Sequence, residues 1–258
     1  MRKLFMMFFV AAAMMTSCSS DEELSSIVDD AKGKVTVTVE PFTFADDDTR
    51  ATLLINSTKN TIDFLWKKKD SIGIFPVKPK NSQIRQNLTA TDVENKTISF
   101  IPQGWTFISG VRYAAYYPYQ NLTTNARYNQ IPVNMTGQTQ NGNDNYNHII
   151  GCSYLYTGYS DPVDDKLELN FKPAISIIKL NLTMPVAATW KSVTLMGNQG
   201  WITRGSMNAI SGSVTSSNTS SAISLSLKNI NTTESNKQLT LYLAVFPQTI
   251  TDLSFGSS

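Results

Sequence analysis

Apolar residues along this 258-residue chain recur mostly at every second position rather than every third or fourth, the period of a strand with one buried face. The segment KVTVTVEPF sets Val35, Val37 and Val39 on one side and threonines on the other. KLELNF does the same with Leu167, Leu169 and Phe171, and SIIKLNLTM with Ile178, Leu180 and Leu182. AISLSLKNI aligns Ile223, Leu225 and Leu227, while QLTLYLAVF aligns Leu239, Leu241, Leu243 and Val245. One apolar and one polar face per strand is the pattern of antiparallel sheets. Between these runs lie clusters such as NMTGQTQNGNDN (134–145) and SGSVTSSNTSS (211–221), which read as loops or hairpin ends. Many short strands separated by turn residues predict an all-β chain built as β-sandwiches. The Pro and acid cluster YSDPVDDK (159–166) separates two strand-rich halves and sets the expected domains at 34–160 and 161–258.

The first 33 residues follow different rules. Arg2 and Lys3 precede an apolar run at 4–15, and small Thr16 and Ser17 lead to Cys18. This is a secretory signal peptide ending at residue 17. As a helix the run would cover about 18 Å, well short of an apolar membrane core of about 30 Å. Cysteine placed directly after Met15, Thr16 and Ser17 resembles the bacterial lipobox, in which the thiol is acylated and cleavage leaves Cys18 as the mature N-terminus. Buried acyl chains contribute about 0.8 kcal/mol per CH₂, so more than one gives a durable anchor. Residues 18–33 then read as an acidic, flexible tether. Asp21, Glu22 and Glu23 resemble the signal that sends Bacteroidetes lipoproteins to the outer face of the outer membrane.

Loss of Arg2 and Lys3 from the 22 basic groups balances the mature chain against its 20 acids. No basic stripe interleaved with aromatics is visible, which argues against nucleic-acid binding. WKKKD (66–70) is the one basic run and reads as a solvated strand end or loop. With Cys18 lipidated, Cys152 has no disulfide partner, so stability must come from packing. A composition 41% hydrophobic and 10% aromatic is enough for a substantial core.

FLWKKKDSIGIFPV (64–77) resembles a segment of the Bacteroidales fimbrillins, type V pilins and related surface lipoproteins, in which Trp is followed by Asp, a variable residue, Ile, Gly, Val or Ile, and Phe. Trp66, Asp70, Ile72, Gly73, Ile74 and Phe75 fill those places. DTRAT (48–52) is similar to the Thr-Arg that precedes that Trp, and YAAYYPY (113–119) to the aromatic strand ending in Tyr-Pro-Tyr. LNFKPAISIIKLNL (169–182) resembles the strand pair opening the second domain, and LYLAVFPQTI (241–250) the late strand ending in proline. These pieces follow the family's order along most of the chain.

The resemblance implies two antiparallel β-sandwich domains of transthyretin-like topology. It also implies a fimbrial subunit or pilus-associated adhesin, assembled with other pilin subunits by β-strand addition. In that scheme a trypsin-like protease cuts after an arginine near the N-terminus and frees the first strand, and Arg50 is the matching position. Family members usually continue beyond the proline-ended strand, whereas this sequence ends at LSFGSS, so the second sandwich is expected to be incomplete or the sequence truncated.

Candidate chemistry is sparse. His148 and Cys152 in NHIIGCSY could form a nucleophilic pair only if the ring reached the sulfur, and on an extended strand they would lie about 13 Å apart. Asp46, Asp47 and Asp48, and Asp161, Asp164 and Asp165, lack the spaced ligand pattern of a calcium loop. Tyr113, Tyr116, Tyr117 and Tyr119, with Trp105, Trp190 and Trp201, are either a stacking platform for a glycan or host ligand or core packing. Ser71, in DSI, resembles a Bacteroidetes O-glycosylation site. The expected protein is therefore a non-catalytic outer-membrane surface lipoprotein of the fimbrium, without cofactor or metal. The alternative is a monomeric surface lipoprotein that binds glycan or host protein.

Overall fold

The computed structural model describes residues 33–43, 53–56, 61–67, 70–77, 83–87, 96–102, 104–106, 108, 110–123 and 126–257. Its elements are nearly all strands. The first ten are β1 (Lys34–Val39), β2 (Phe42–Thr43), β3 (Leu53–Asn56), β4 (Thr61–Phe64), β5 (Ser71–Pro76), β6 (Ile84–Asn87), β7 (Thr97–Phe100), β8 (Tyr113–Tyr117), β9 (Ile131–Asn134) and β10 (Thr139–Asn141). A 3₁₀ helix, Asn147–Cys152, comes next. It leads to β11 (Leu155–Tyr156), β12 (Lys166–Pro173), β13 (Ser176–Thr183), β14 (Ser192–Met207), β15 (Val214–Lys228), β16 (Gln238–Val245) and β17 (Ser254–Ser257).

A seven-stranded sheet runs in the order β6-β5-β8-β11-β12-β1-β7. A second group holds a five-stranded sheet, β10-β15-β14-β17 with β9 also on β14, and the two-stranded pair β13-β16. A small sheet, β2-β4-β3, completes the set. The buried side chains of these sheets form one continuous hydrophobic core.

The alternation in the sequence places most strands correctly. Val35, Val37 and Val39 point inward from β1, Leu167, Leu169 and Phe171 from β12, and Ile223, Leu225 and Leu227 from β15. In β13 the buried residues are Ile177 and Leu180, while Ile178 and Leu182 are only half-buried. Two pairings depart from the antiparallel expectation: β1 runs parallel to β12, and β10 parallel to β15. Alternation shows which face is buried but carries no information on strand direction.

Two expected loops contain strands. Residues 214–221 form the first half of β15, held by backbone pairing to β14. Its side chains are largely exposed, so no apolar alternation marked it. Residues 139–141 form β10. The acid cluster at 159–166, the expected break between halves, links β11 to β12, which are neighbours in the seven-stranded sheet. Ser160 bridges Tyr113, Val163 bridges Lys166, and Asp164 and Asp165 take positive φ in the turn that leads into β12.

The Trp-to-Phe segment is a packing unit. Trp66 is fully buried and meets Phe64, Tyr117 and Phe171 edge-on at ring distances of 5.0, 5.4 and 5.4 Å. Asp70 receives the Lys67 N–H at 2.7 Å and the Tyr117 hydroxyl at 3.2 Å. Gly73 lies opposite Tyr116 in the β5-β8 ladder, and the phenol ring fills the space that a Cβ would occupy. Tyr116 in turn stacks on Phe75. Glycine is required here by the close approach of the ring, not by backbone dihedrals. Gly73→Ala is expected to destabilise the fold by about 1–3 kcal/mol through overpacking, measured as a shifted urea midpoint with unchanged slope.

Candidate functional site

β1 is flanked on both edges. It pairs parallel with β12, from Lys34 opposite Lys166 to Val39 opposite Phe171, and antiparallel with β7, from Val35 opposite Phe100 to Thr38 opposite Thr97. The ladder on the β12 side extends at each end, through the Gly33 N–H to Asp165 O at 2.7 Å and the Glu40 N–H to Phe171 O at 2.8 Å. On the outer face Thr36 Oγ1 meets Ser99 Oγ at 3.1 Å and Thr38 Oγ1 meets Thr97 Oγ1 at 3.3 Å. An ion pair joins Lys172 to Glu40 at 3.1 Å. On the inner face each buried valine contributes about 1.5–3 kcal/mol.

Without β1, the facing edges of β12 and β7 would present unpaired N–H and C=O groups above an apolar floor, the requirement for accepting an extended segment. Arg50 falls between β2 and β3 in sequence, so a cut there would separate β1 and β2 from all later strands. Arg50 and Cys18 both lie outside the described residues, as do Asp46, Asp47 and Asp48.

The remaining candidates are dispersed. Tyr113, Tyr116, Tyr117, Trp190 and Trp201 are buried, so they serve as core rather than as a platform. Burial pushes the Tyr116 phenol up to about 12 and raises Tyr117 as well, the latter reinforced by the Asp70 charge. Tyr119 lies under the Arg85 guanidinium at 4.9 Å, and the Trp105 indole donates to Gln86 at 2.9 Å. Ser71 is half-buried at the start of β5. Asp161 pairs with Arg112 at 3.1 Å. Among the described residues, no group of three or more His, Cys, Asp and Glu side chains is placed to hold a metal ion.

His148 and Cys152 lie on the 3₁₀ helix rather than on an extended strand. The His148 Nε2–H is directed at the Tyr242 carbonyl at 2.9 Å, which fixes the tautomer. Burial lowers the ring's pKa and pushes the Cys152 thiol up to about 11, so both are neutral at physiological pH and the thiol is a poor nucleophile. Sequence reasoning missed Gln138 and Gln140, buried polar side chains within the presumed 134–145 loop. Glutamine at alternating positions was their only signal.

The profile of a family described as fimbrillin-like matches residues 49–255. The chain belongs to the fimbrillin-like family. This fimbrillin-like chain is also similar in structure to a candidate cell adhesion protein from Bacteroides ovatus, with a TM-score of 0.51 at 16% identity over 88% of this chain and 83% of that one. A fimbrial protein from the same organism gives a TM-score of 0.32 at 14% identity, over 82% of this chain and 46% of that one. No curated protein matches the chain.

Because the folded state favours neutral His148, the unfolded chain binds more protons below the ordinary pKa of 6.5. This contribution is full above that value and is lost as pH falls through it towards the lowered native pKa. The thermal midpoint should therefore drop between about pH 7.5 and about pH 5.5, and by less in His148→Gln, as followed by calorimetry at both pH values.

Proposed function

We propose that this fimbrillin-like chain is a non-catalytic surface lipoprotein of the outer membrane, acting as a fimbrial subunit or pilus-associated adhesin and joining other pilin subunits by strand exchange. Acylated Cys18 anchors it during export. Cleavage after Arg50 releases β1, and an extended segment of another subunit takes its place between β12 and β7.

The position of β1 supports this role most directly. The strand near the N-terminus lies inside the seven-stranded sheet rather than on its rim, with β12 on one side and β7 on the other. Its valines are buried, so vacating the slot leaves a strong driving force for refilling it. Membership of the fimbrillin-like family supports the fimbrial setting. The burial of most candidate platform aromatics disfavours the glycan-binding alternative.

Immunogold electron microscopy of producing cells tests the assignment. Gold along filaments that is lost in Arg50→Ala is the expected result, together with detachment from the cell surface in Cys18→Ala. Diffuse surface gold unchanged by Arg50→Ala would overturn the polymer role and leave a lipid-anchored binding protein.

A further inference from the structure

Among the described residues, β16 has one strand neighbour, β13. Its other edge carries the N–H groups of Thr240, Tyr242 and Ala244 and the carbonyls of Gln238, Thr240, Tyr242 and Ala244, on a strand as apolar as QLTLYLAV. An edge of that kind is a template for a foreign strand. Here it is closed by side chains. Gln138 Nε2 donates to the Ala244 carbonyl at 2.8 Å, and its Oε1 accepts from the Ala244 N–H at 2.8 Å. Gln140 spans two residues of the same edge, donating to Thr240 O at 2.9 Å and accepting from Tyr242 N–H at 2.9 Å. Asn143 donates to Gln238 O at 3.3 Å and accepts from Thr240 N–H at 2.7 Å.

His148 fills the Tyr242 carbonyl, the Asp144 N–H adds a bond to Thr240 O at 3.0 Å, and the Asp144 carboxylate accepts from the Tyr242 hydroxyl. A primary amide carries the donor and acceptor of a peptide group. Residues two apart on a strand lie about 6.6 Å apart, so Gln138 and Gln140 match the pitch of Ala244 and Tyr242. The β10 backbone is meanwhile committed to β15, pairing Thr139 with Ser226 and Asn141 with Lys228.

We propose that residues 138–148 are a built-in edge blocker: their side-chain amides stand in for a neighbouring strand and keep an extended segment of a second copy of this chain from adding to β16. Buried amides on alternate positions, each engaging both a donor and an acceptor of one strand, are the geometry of a ladder rather than of scattered satisfaction. The blocker does not depend on the assignment of the β1 slot and acts whether or not the chain polymerises there.

The test uses the full chain with Gln138→Leu and Gln140→Leu combined, followed by amide hydrogen exchange and by light scattering after size exclusion. In the parent, the Thr240, Tyr242 and Ala244 amides should be as protected as those of Leu241 and Leu243. In the variant, Tyr242 and Ala244 should exchange about tenfold faster or more, and self-association should rise with concentration. Unchanged protection, or lost protection without association, would overturn the proposal.

Gln140→Glu keeps the test decisive if the double variant does not fold. A neutral carboxylic acid offers the same donor and acceptor, whereas the carboxylate has lost the donor. Burial raises the pKa of such a group, so the closed edge is present at low pH and lost as pH rises through that value. Association at about pH 7.5 that reverses at about pH 5, relative to the parent, is expected. Asp144, Tyr146, His148, Lys179, Lys228 and Tyr242, the titratable groups on the segment and on the strands paired or packed against it, are common to both proteins. Association equal to the parent's at both pH values would overturn the proposal.

Discussion

Every strand has two edges, and each buried edge must find partners for its N–H and C=O groups or lose about 1–3 kcal/mol per unpaired group. The architecture follows from how those edges are closed. β1 closes two at once, those of β12 and β7. β10 also closes two, by different means: its backbone serves β15 and the side chain of its Gln140, with that of the adjoining Gln138, serves β16. In this way the two-stranded β13-β16 pair is joined to the five-stranded sheet without a strand between them.

The two closures differ in what could undo them. β1 precedes Arg50, so a single cut between β2 and β3 would detach it from the strands it pairs with. Residues 138–148 lie far beyond that point and would remain in place after the same cut. One edge is filled by a segment that chain connectivity makes separable, the other by side chains fixed on a retained strand. A closed second edge limits unspecific pairing whether or not the first is vacated, because an open edge invites a foreign strand.

The residues that carry the family resemblance serve the interior. Trp66, Ile72, Ile74, Phe75 and Tyr116 are buried, and Asp70 ties the Lys67 backbone to the Tyr117 hydroxyl. Gly73 leaves room for the Tyr116 ring. Their order along the chain reflects a packing solution in which an aromatic cluster joins β4, β8 and β12, with β5 laid against it. His148 is likewise committed to the Tyr242 carbonyl and Cys152 is held neutral by burial, so neither is poised for nucleophilic chemistry.

Period-two alternation by itself determined that the chain is all-β and which faces of β1, β12 and β15 are buried, because a strand's two faces are set by residue parity alone; it missed that β16 is buried on both faces from Leu241 to Val245, Tyr242 and Ala244 included. It could not determine that β1 runs parallel to β12, since parity is the same in either direction. Exposed strand residues such as 214–221 gave no alternation, for their place depends on a backbone ladder to β14. The seven-stranded sheet's inclusion of β12, and the match in pitch between Gln138 and Gln140 and the edge of β16, arise only when segments about a hundred residues apart meet. Backbone hydrogen bonding is blind to side-chain identity, so tertiary structure alone decided which edges face each other and what fills them.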